Sequence, residues 1–203
     1  KYPKHNILGE EYKSNYKGSK YTWVIDPIDG TKALITGQPT WSNLISLYSE
    51  KTPLIGMANF PELNKTFYAD KSGAYLYKKQ FKKIKTSKNK VLKNAKLITN
   101  SIHTFVDKKI YDFFNSYPYF FKISGIDAYN FCLLAEGKID IIIESGLKQV
   151  DILPMVPIIN ASGGIITNWK GSNDLSKGQI IASANKQIHK KFLKILLSIF
   201  FDQ

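Results

Sequence analysis

Apolar positions in this chain come in short runs cut by turn-forming residues. Tyr21 to Ile25 reads as a buried strand that Asp26-Pro27-Ile28-Asp29-Gly30 breaks sharply, with Thr31 to Ile35 following as a first helical turn. Ser42 to Ser49 and Leu54 to Phe60 read as strands joined by a turn at Glu50 to Pro53. Thr66 to Ala69 and Ala74 to Tyr77 follow, behind turns at Asn64-Lys65 and Ser72-Gly73. Strands at this spacing make an antiparallel sheet rather than strand-helix-strand units. Upstream, His5 to Leu8 is a short strand leading into Gly9-Glu10-Glu11.

The second half alternates helix and strand patterns. Ala95 to Thr99 and Tyr119 to Ile123 read as strands flanking a helix over Lys108 to Ser116. A helix opens at Gly125-Ile126-Asp127-Ala128 and stops at Gly137, and Ile139 to Ile143 is a buried strand ending at Glu144. Leu147 to Met155 starts a further helix that ends at Ser162-Gly163-Gly164, with Asp151 in the N-cap position. Gly178 to Ser183 is the last strand. Gln187 to Phe200 is an amphipathic helix whose apolar face, Phe192, Ile195, Leu196 and Ile199, suits docking on a sheet better than lying on a membrane.

The basic stretch Lys78 to Lys96 divides the two patterns and sets the expected boundary between subdomains 1–92 and 93–203. It reads as a solvated, lysine-guarded edge. The chain carries a formal charge of +13, yet its lysines are spread along the whole length and arginine is absent. That weakens a nucleic-acid reading, because bidentate contacts to bases and phosphates favour arginine. Cys132, the single cysteine, lies in an apolar helical run, so no intrachain disulfide or cysteine zinc site is available. No apolar stretch is long enough to span a bilayer, and the expected location is cytoplasmic. His5, His103 and His189 have no metal-ligand spacing.

The chemistry concentrates at the end of the first long strand. Asp26 and Asp29 lie three apart around a proline that fixes one backbone angle, so their carboxylates can converge with the Ile28 carbonyl as a third oxygen. Hard oxygen ligands suit Mg²⁺ better than Zn²⁺. The amides of Gly30 and Thr31 then open a helix start shaped for phosphate. Asp-Pro and Asp-Gly are also ordinary turn formers, and a capped bend is the competing explanation.

As a set, Trp23 to Thr31 resembles the metal-binding motif of the inositol monophosphatase family, Mg²⁺-dependent phosphomonoesterases. The resemblance extends to Gly9-Glu10-Glu11 upstream and to Asp151 before the helix ending in Gly163-Gly164, although Val150, Leu153, Pro154 and Met155 depart from the family pattern there. It implies an α/β fold of alternating helix and sheet layers, αβαβα, in which this chain lacks the first helices, and a homodimer. The N-terminal subdomain then carries the metal and phosphate site, and the truncation is expected to lower activity. The implied ligands for two or three Mg²⁺ ions are Glu10, Asp26, Ile28, Asp29 and Asp151, with Asp26 bridging. Thr31 is implied to position water, alongside Asp29. The helix start at Gly125, Ile126 and Asp127, together with Glu144, is implied to face the rest of the substrate.

Lys32 and the run Ile35-Thr36-Gly37-Gln38-Pro39 lean toward the histidinol-phosphatase branch. Asp127 and Glu144 could pair there with the substrate ammonium. Inositol 1-phosphate and 3′-phosphoadenosine 5′-phosphate are the alternative esters. The expected partner is a small phosphate monoester, with no nucleic acid and no membrane. The competing class is a basic protein using the Lys78 to Lys96 region on RNA or anionic lipid.

Overall fold

A computed structural model describes residues 2–11, 13–99, 108–122 and 126–201 of the protein. Strands β1 (Asn6–Gly9), β2 (Tyr21–Asp29), β3 (Ser42–Ser49), β4 (Thr52–Phe60), β5 (Lys65–Asp70), β6 (Gly73–Tyr77) and β7 (Phe81–Lys83) lie side by side in chain order. From β2 onward every neighbouring pair is antiparallel, as expected, whereas β1 runs parallel to β2. Helix α1 (Thr31–Ile35) sits between β2 and β3. The alternation of β3 explains the sheet's two faces: Ser42, Leu44, Ser46 and Tyr48 are buried and the residues between them only half-buried. At the basic stretch, β7 is an exposed edge strand.

The second sheet contains β8 (Leu97–Thr99), β9 (Phe120–Lys122), β10 (Ile141–Glu144), β11 (Ile165–Asn168) and β12 (Ile180–Ser183), in the order β11-β12-β10-β8-β9. Among the described residues, the α-helices that accompany it are α2 (Lys108–Ser116), α3 (Asp127–Ala135), α4 (Gln149–Ile152), α5 (Met155–Ser162) and α6 (Lys186–Phe201). Helices α3 and α5 fill the space between the sheets. One continuous core runs from Phe60, Phe67 and Leu76 through Phe131, Met155 and Ile159 to Ile142 and Ile180. Cys132 is buried within it. The period of two along β10 turns Ile141 and Ile143 to the opposite face, against Phe114 of α2 and Ile188, Phe192 and Leu196 of α6. The described residues thus stack as sheet, helices, sheet, helices, and α6 docks on a sheet through its apolar face. None of the described helices is long and apolar enough to cross a membrane.

Three elements differ from the sequence reading, each for a local reason. Strand β2 does not end at Ile25 but runs on through Asp29. Its register with β3 passes from Asp26↔Leu44 to Asp29↔Ser42, so an extra residue is accommodated around Pro27. Proline donates no ladder bond, and a bulge lets the strand continue past it. The side-chain amide of Asn43 donates to the Pro27 carbonyl at 2.7 Å. Second, the helix expected from Leu147 to Gly164 is two, because Pro154 lacks an N–H and clashes with a preceding turn; it sits at the N-cap of α5 instead. Third, β11 is a four-residue strand that pairs with β12, too short to show a period in the sequence. Of the expected elements, Gly125 and Ile123 lie outside the described residues, as does His103. His189 is buried and shares hydrogen bonds with Thr167 Oγ1 and Ser183 Oγ, both at 3.0 Å, and burial pushes its pKa down to about 4.

Strand β4 and helix α5 approach so closely that a side chain cannot stand between them. A Cβ on Gly56 would lie 2.3 Å from Pro157 Cγ and 2.5 Å from the Pro154 carbonyl oxygen. Gly56→Ala should therefore destabilise the fold by about 1–3 kcal/mol in urea unfolding, the usual cost of overpacking. An unchanged or raised midpoint would show that the contact yields.

Candidate active site

The C-terminal ends of the parallel pair β1 and β2 converge with the starts of α1, α3 and α4 on a cavity of about 260 Å³. Glu10 follows β1 directly, and its backbone N–H donates to the Ile25 carbonyl at 3.3 Å, which pins it beside β2. Asp26, Ile28, Asp29, Gly30 and Thr31 come from the bulged end of β2 and the turn into α1; Asp127, Glu144 and Asp151 enter from the other half of the chain. All of these line the cavity. Ile126 does not: it is the N-cap residue of α3.

Glu10, Asp26 and Asp151 each offer one carboxylate oxygen, and the three oxygens lie within 4.8 Å of one another. Asp26 is 1% exposed. Its Oδ1 accepts the Ile28 N–H at 2.9 Å, while Oδ2 is buried with no hydrogen-bond partner. A buried carboxylate oxygen without a donor is costly, and a cation resolves it. The hard, anionic donor set fits a divalent ion of the Mg²⁺ or Ca²⁺ type. Asp29 stands apart from this trio although it lines the same cavity. Its Oδ2 accepts from the Ser42 hydroxyl at 3.0 Å and from the Ala128 N–H at 3.2 Å, tying β2 and β3 to the first turn of α3.

One expectation from the sequence changes here. Asp151 is not the N-cap of its helix; Lys148 is, and Asp151 sits three residues later with its Oδ2 accepting the Lys148 N–H at 2.8 Å. The proline two residues beyond Ile152 ends α4 after four residues. Asp127 lies in the first turn of α3, where no side chain caps the helix. Instead its carboxylate approaches Gly30, where a Cβ would come within 3.1 Å of Asp127 Oδ2. Gly30 has φ 77°, a conformation that glycine adopts without strain, and it precedes α1 directly. The Thr31 hydroxyl donates to the Ile28 carbonyl at 3.3 Å.

Sequence reasoning missed Lys148, whose Nζ lies 2.6 Å from Glu10 Oε1, and Ser42. Neither has a local signature; Lys148 follows an unremarkable Leu147 and meets Glu10 only in three dimensions.

Crowding of acids shows in their protonation. Burial first, then the neighbouring Glu10 carboxyl, raises Asp26 to about 8. Burial, then the charges of Asp127 and Asp151, raises Asp29 to about 7. Burial raises Asp151 to about 6. Glu10 moves the other way: burial alone would raise it, but the Lys148 ammonium and the hydrogen-bonding environment beside Asp26 hold it below the usual carboxylate range.

Residues 1–199 match the model of the inositol monophosphatase family. The chain is 34% identical to the bifunctional phosphatase IMPL2, chloroplastic, of Arabidopsis thaliana, over 96% of this chain and 59% of that protein. It is 26% identical to a histidinol-phosphatase of Chlorobaculum parvum, over 95% of this chain and 74% of that one. Among solved structures, the Thermotoga maritima IMPase superposes with a TM-score of 0.84 at 27% identity, covering 99% of this chain and 77% of its own. The chain therefore spans 59% of the length of the Arabidopsis relative and about three quarters of the other two.

The raised carboxyls make metal-free stability depend on pH with a definite sign. Folded Asp26 and Asp29 hold protons up to about 8 and 7, whereas unfolded carboxyls release theirs near 4, so the folded state binds more protons in between. Stability contributed by these groups falls as pH rises through that window. His189 opposes the trend only below about pH 6.5, where its unfolded form protonates. The melting temperature in chelator should therefore decline between about pH 6.5 and 8.5, and a saturating divalent cation should remove the decline. A flat or rising metal-free curve over that range would contradict the shifts.

Proposed function

The chain belongs to the inositol monophosphatase family, and from that premise we propose that it is a Mg²⁺-dependent phosphomonoester hydrolase acting on histidinol phosphate. The observation that carries this reading is the trio of carboxylate oxygens, one buried without a donor, at the mouth of a helix start. Glu10, Asp26 and Asp151, with Asp29 and the Ile28 carbonyl beside them, would hold two or three ions. When bound, Mg²⁺ offsets charge on the phosphoryl oxygens and makes water a usable nucleophile at neutral pH.

The chain's own groups do the rest. The Gly30 and Thr31 amides, at the start of α1 where N–H groups have no acceptor a turn earlier in the helix, bind the phosphate oxygens. Thr31, its hydroxyl anchored on the Ile28 carbonyl, orients the attacking water. Asp29 keeps the two halves of the site in register through Ser42 and Ala128. Asp127 and Glu144 line the same cavity and attract the ammonium of histidinol phosphate, a charge that inositol 1-phosphate lacks. That contrast favours histidinol phosphate over inositol 1-phosphate. Against 3′-phosphoadenosine 5′-phosphate, the support is the run after Lys32 together with the likeness to a protein named histidinol-phosphatase. The working form in this reading is a homodimer, as the family resemblance implies.

Phosphate release from histidinol phosphate, inositol 1-phosphate and 3′-phosphoadenosine 5′-phosphate, with and without Mg²⁺, tests the proposal. Release should require Mg²⁺, favour histidinol phosphate and fall about 10- to 100-fold in Asp29→Asn. Asp127→Asn should lose the preference for histidinol phosphate over inositol 1-phosphate while Mg²⁺ dependence persists. Metal-independent release, or none, would refute the hydrolase; equal turnover of the three esters would refute the substrate.

A further inference from the structure

Lys148 touches the carboxylate trio twice. Its backbone N–H donates to Asp151 Oδ2 at 2.8 Å, which fixes where the side chain begins. Its ammonium reaches back to Glu10 Oε1 at 2.6 Å, across 138 residues of sequence. One member of the trio thus anchors this lysine and a second holds its charge. The ammonium occupies Oε1, one of the two oxygens through which Glu10 could meet an ion.

Two cations cannot share that position. An ammonium and a divalent ion at adjoining positions repel in water and more strongly beside protein. The geometry also supplies a way out. The Lys148 side chain is 68% exposed while Glu10 is 23% exposed, so the flexible four-carbon stem can swing into solvent as Glu10 stays in place. Without metal, the single positive charge offsets part of the repulsion among Glu10, Asp26 and Asp151; an incoming divalent ion does so better and displaces it.

We propose that Lys148 is a built-in counter-cation of the carboxylate trio, which holds the site closed without metal and competes with the ion bound through Glu10. It is a positioning residue that lowers metal affinity and spares the metal-free fold. The inference rests on the reading of Glu10, Asp26 and Asp151 as metal ligands, and the test separates the two. The bland alternative is an ordinary surface ion pair, which contributes little to anything.

Calorimetric titration of chelator-treated protein with Mg²⁺, paired with thermal unfolding with and without Mg²⁺, would decide. Lys148→Met should bind Mg²⁺ on the order of ten-fold more tightly than the unsubstituted chain. It should also melt lower without metal and gain a larger rise on adding Mg²⁺. Lys148→Arg, which keeps the charge, should bind Mg²⁺ like the unsubstituted chain, and Lys148→Gln gives the neutral comparison should the Met variant not fold. Unchanged or weaker Mg²⁺ binding in the neutral variants would overturn the inference while leaving the metal site intact. Failure of the unsubstituted chain and all variants to bind Mg²⁺ would overturn the metal reading and this inference together.

Discussion

Everything distinctive about this molecule follows from the burial of mutually repelling carboxylates at one end of β2. Acids so placed do not gather by attraction; they are carried there by backbone that has other reasons to be where it is. The bulge around Pro27 aims Asp26 and Asp29, and the parallel pairing of β1 with β2 delivers Glu10. The break at Pro154 leaves α4 as a short separate helix carrying Asp151. Backbone donors from the far half of the chain, Ala128 N–H to Asp29 and Lys148 N–H to Asp151, then fix the carboxylates they meet. Hydrophobic burial in the shared core drives the two sheets together, and the acids ride on that assembly.

The acidic cavity is set in a chain with a formal charge of +13. Such a field draws anions from solution, while the cavity itself repels them until a cation is present. A phosphate ester would thus be attracted to the protein at long range and admitted at short range only with metal. Lys148 and Lys32 at the cavity rim belong to the first effect, the carboxylate trio to the second.

Much of this was legible in the residues. Helix α2 spans the expected Lys108–Ser116, β3 the expected Ser42–Ser49, and Glu10, Asp26, Asp29, Thr31, Asp127, Glu144 and Asp151 do line one cavity. Periodicity and turn chemistry carry such information because they act over a few residues. What stayed hidden depends on longer range or finer geometry. Asp-Pro-Ile-Asp-Gly looks like a strand end, yet the ladder with β3 and the Asn43 amide keep the strand going. Pro154 lay inside the expected helix, but it opens a second one. The Lys148–Glu10 pair leaves no local trace, since its partners are 138 residues apart.

The central claim is that these carboxylates form a divalent-cation site, and the most direct test is where a cation sits. Crystals grown with Mn²⁺, measured at a wavelength that gives manganese an anomalous signal, should show a peak within coordination distance of Glu10, Asp26 and Asp151. Lys148 Nζ should then have withdrawn from Glu10. Manganese found only at other surfaces, with the three carboxylates unliganded and Lys148 still paired, would contradict the account.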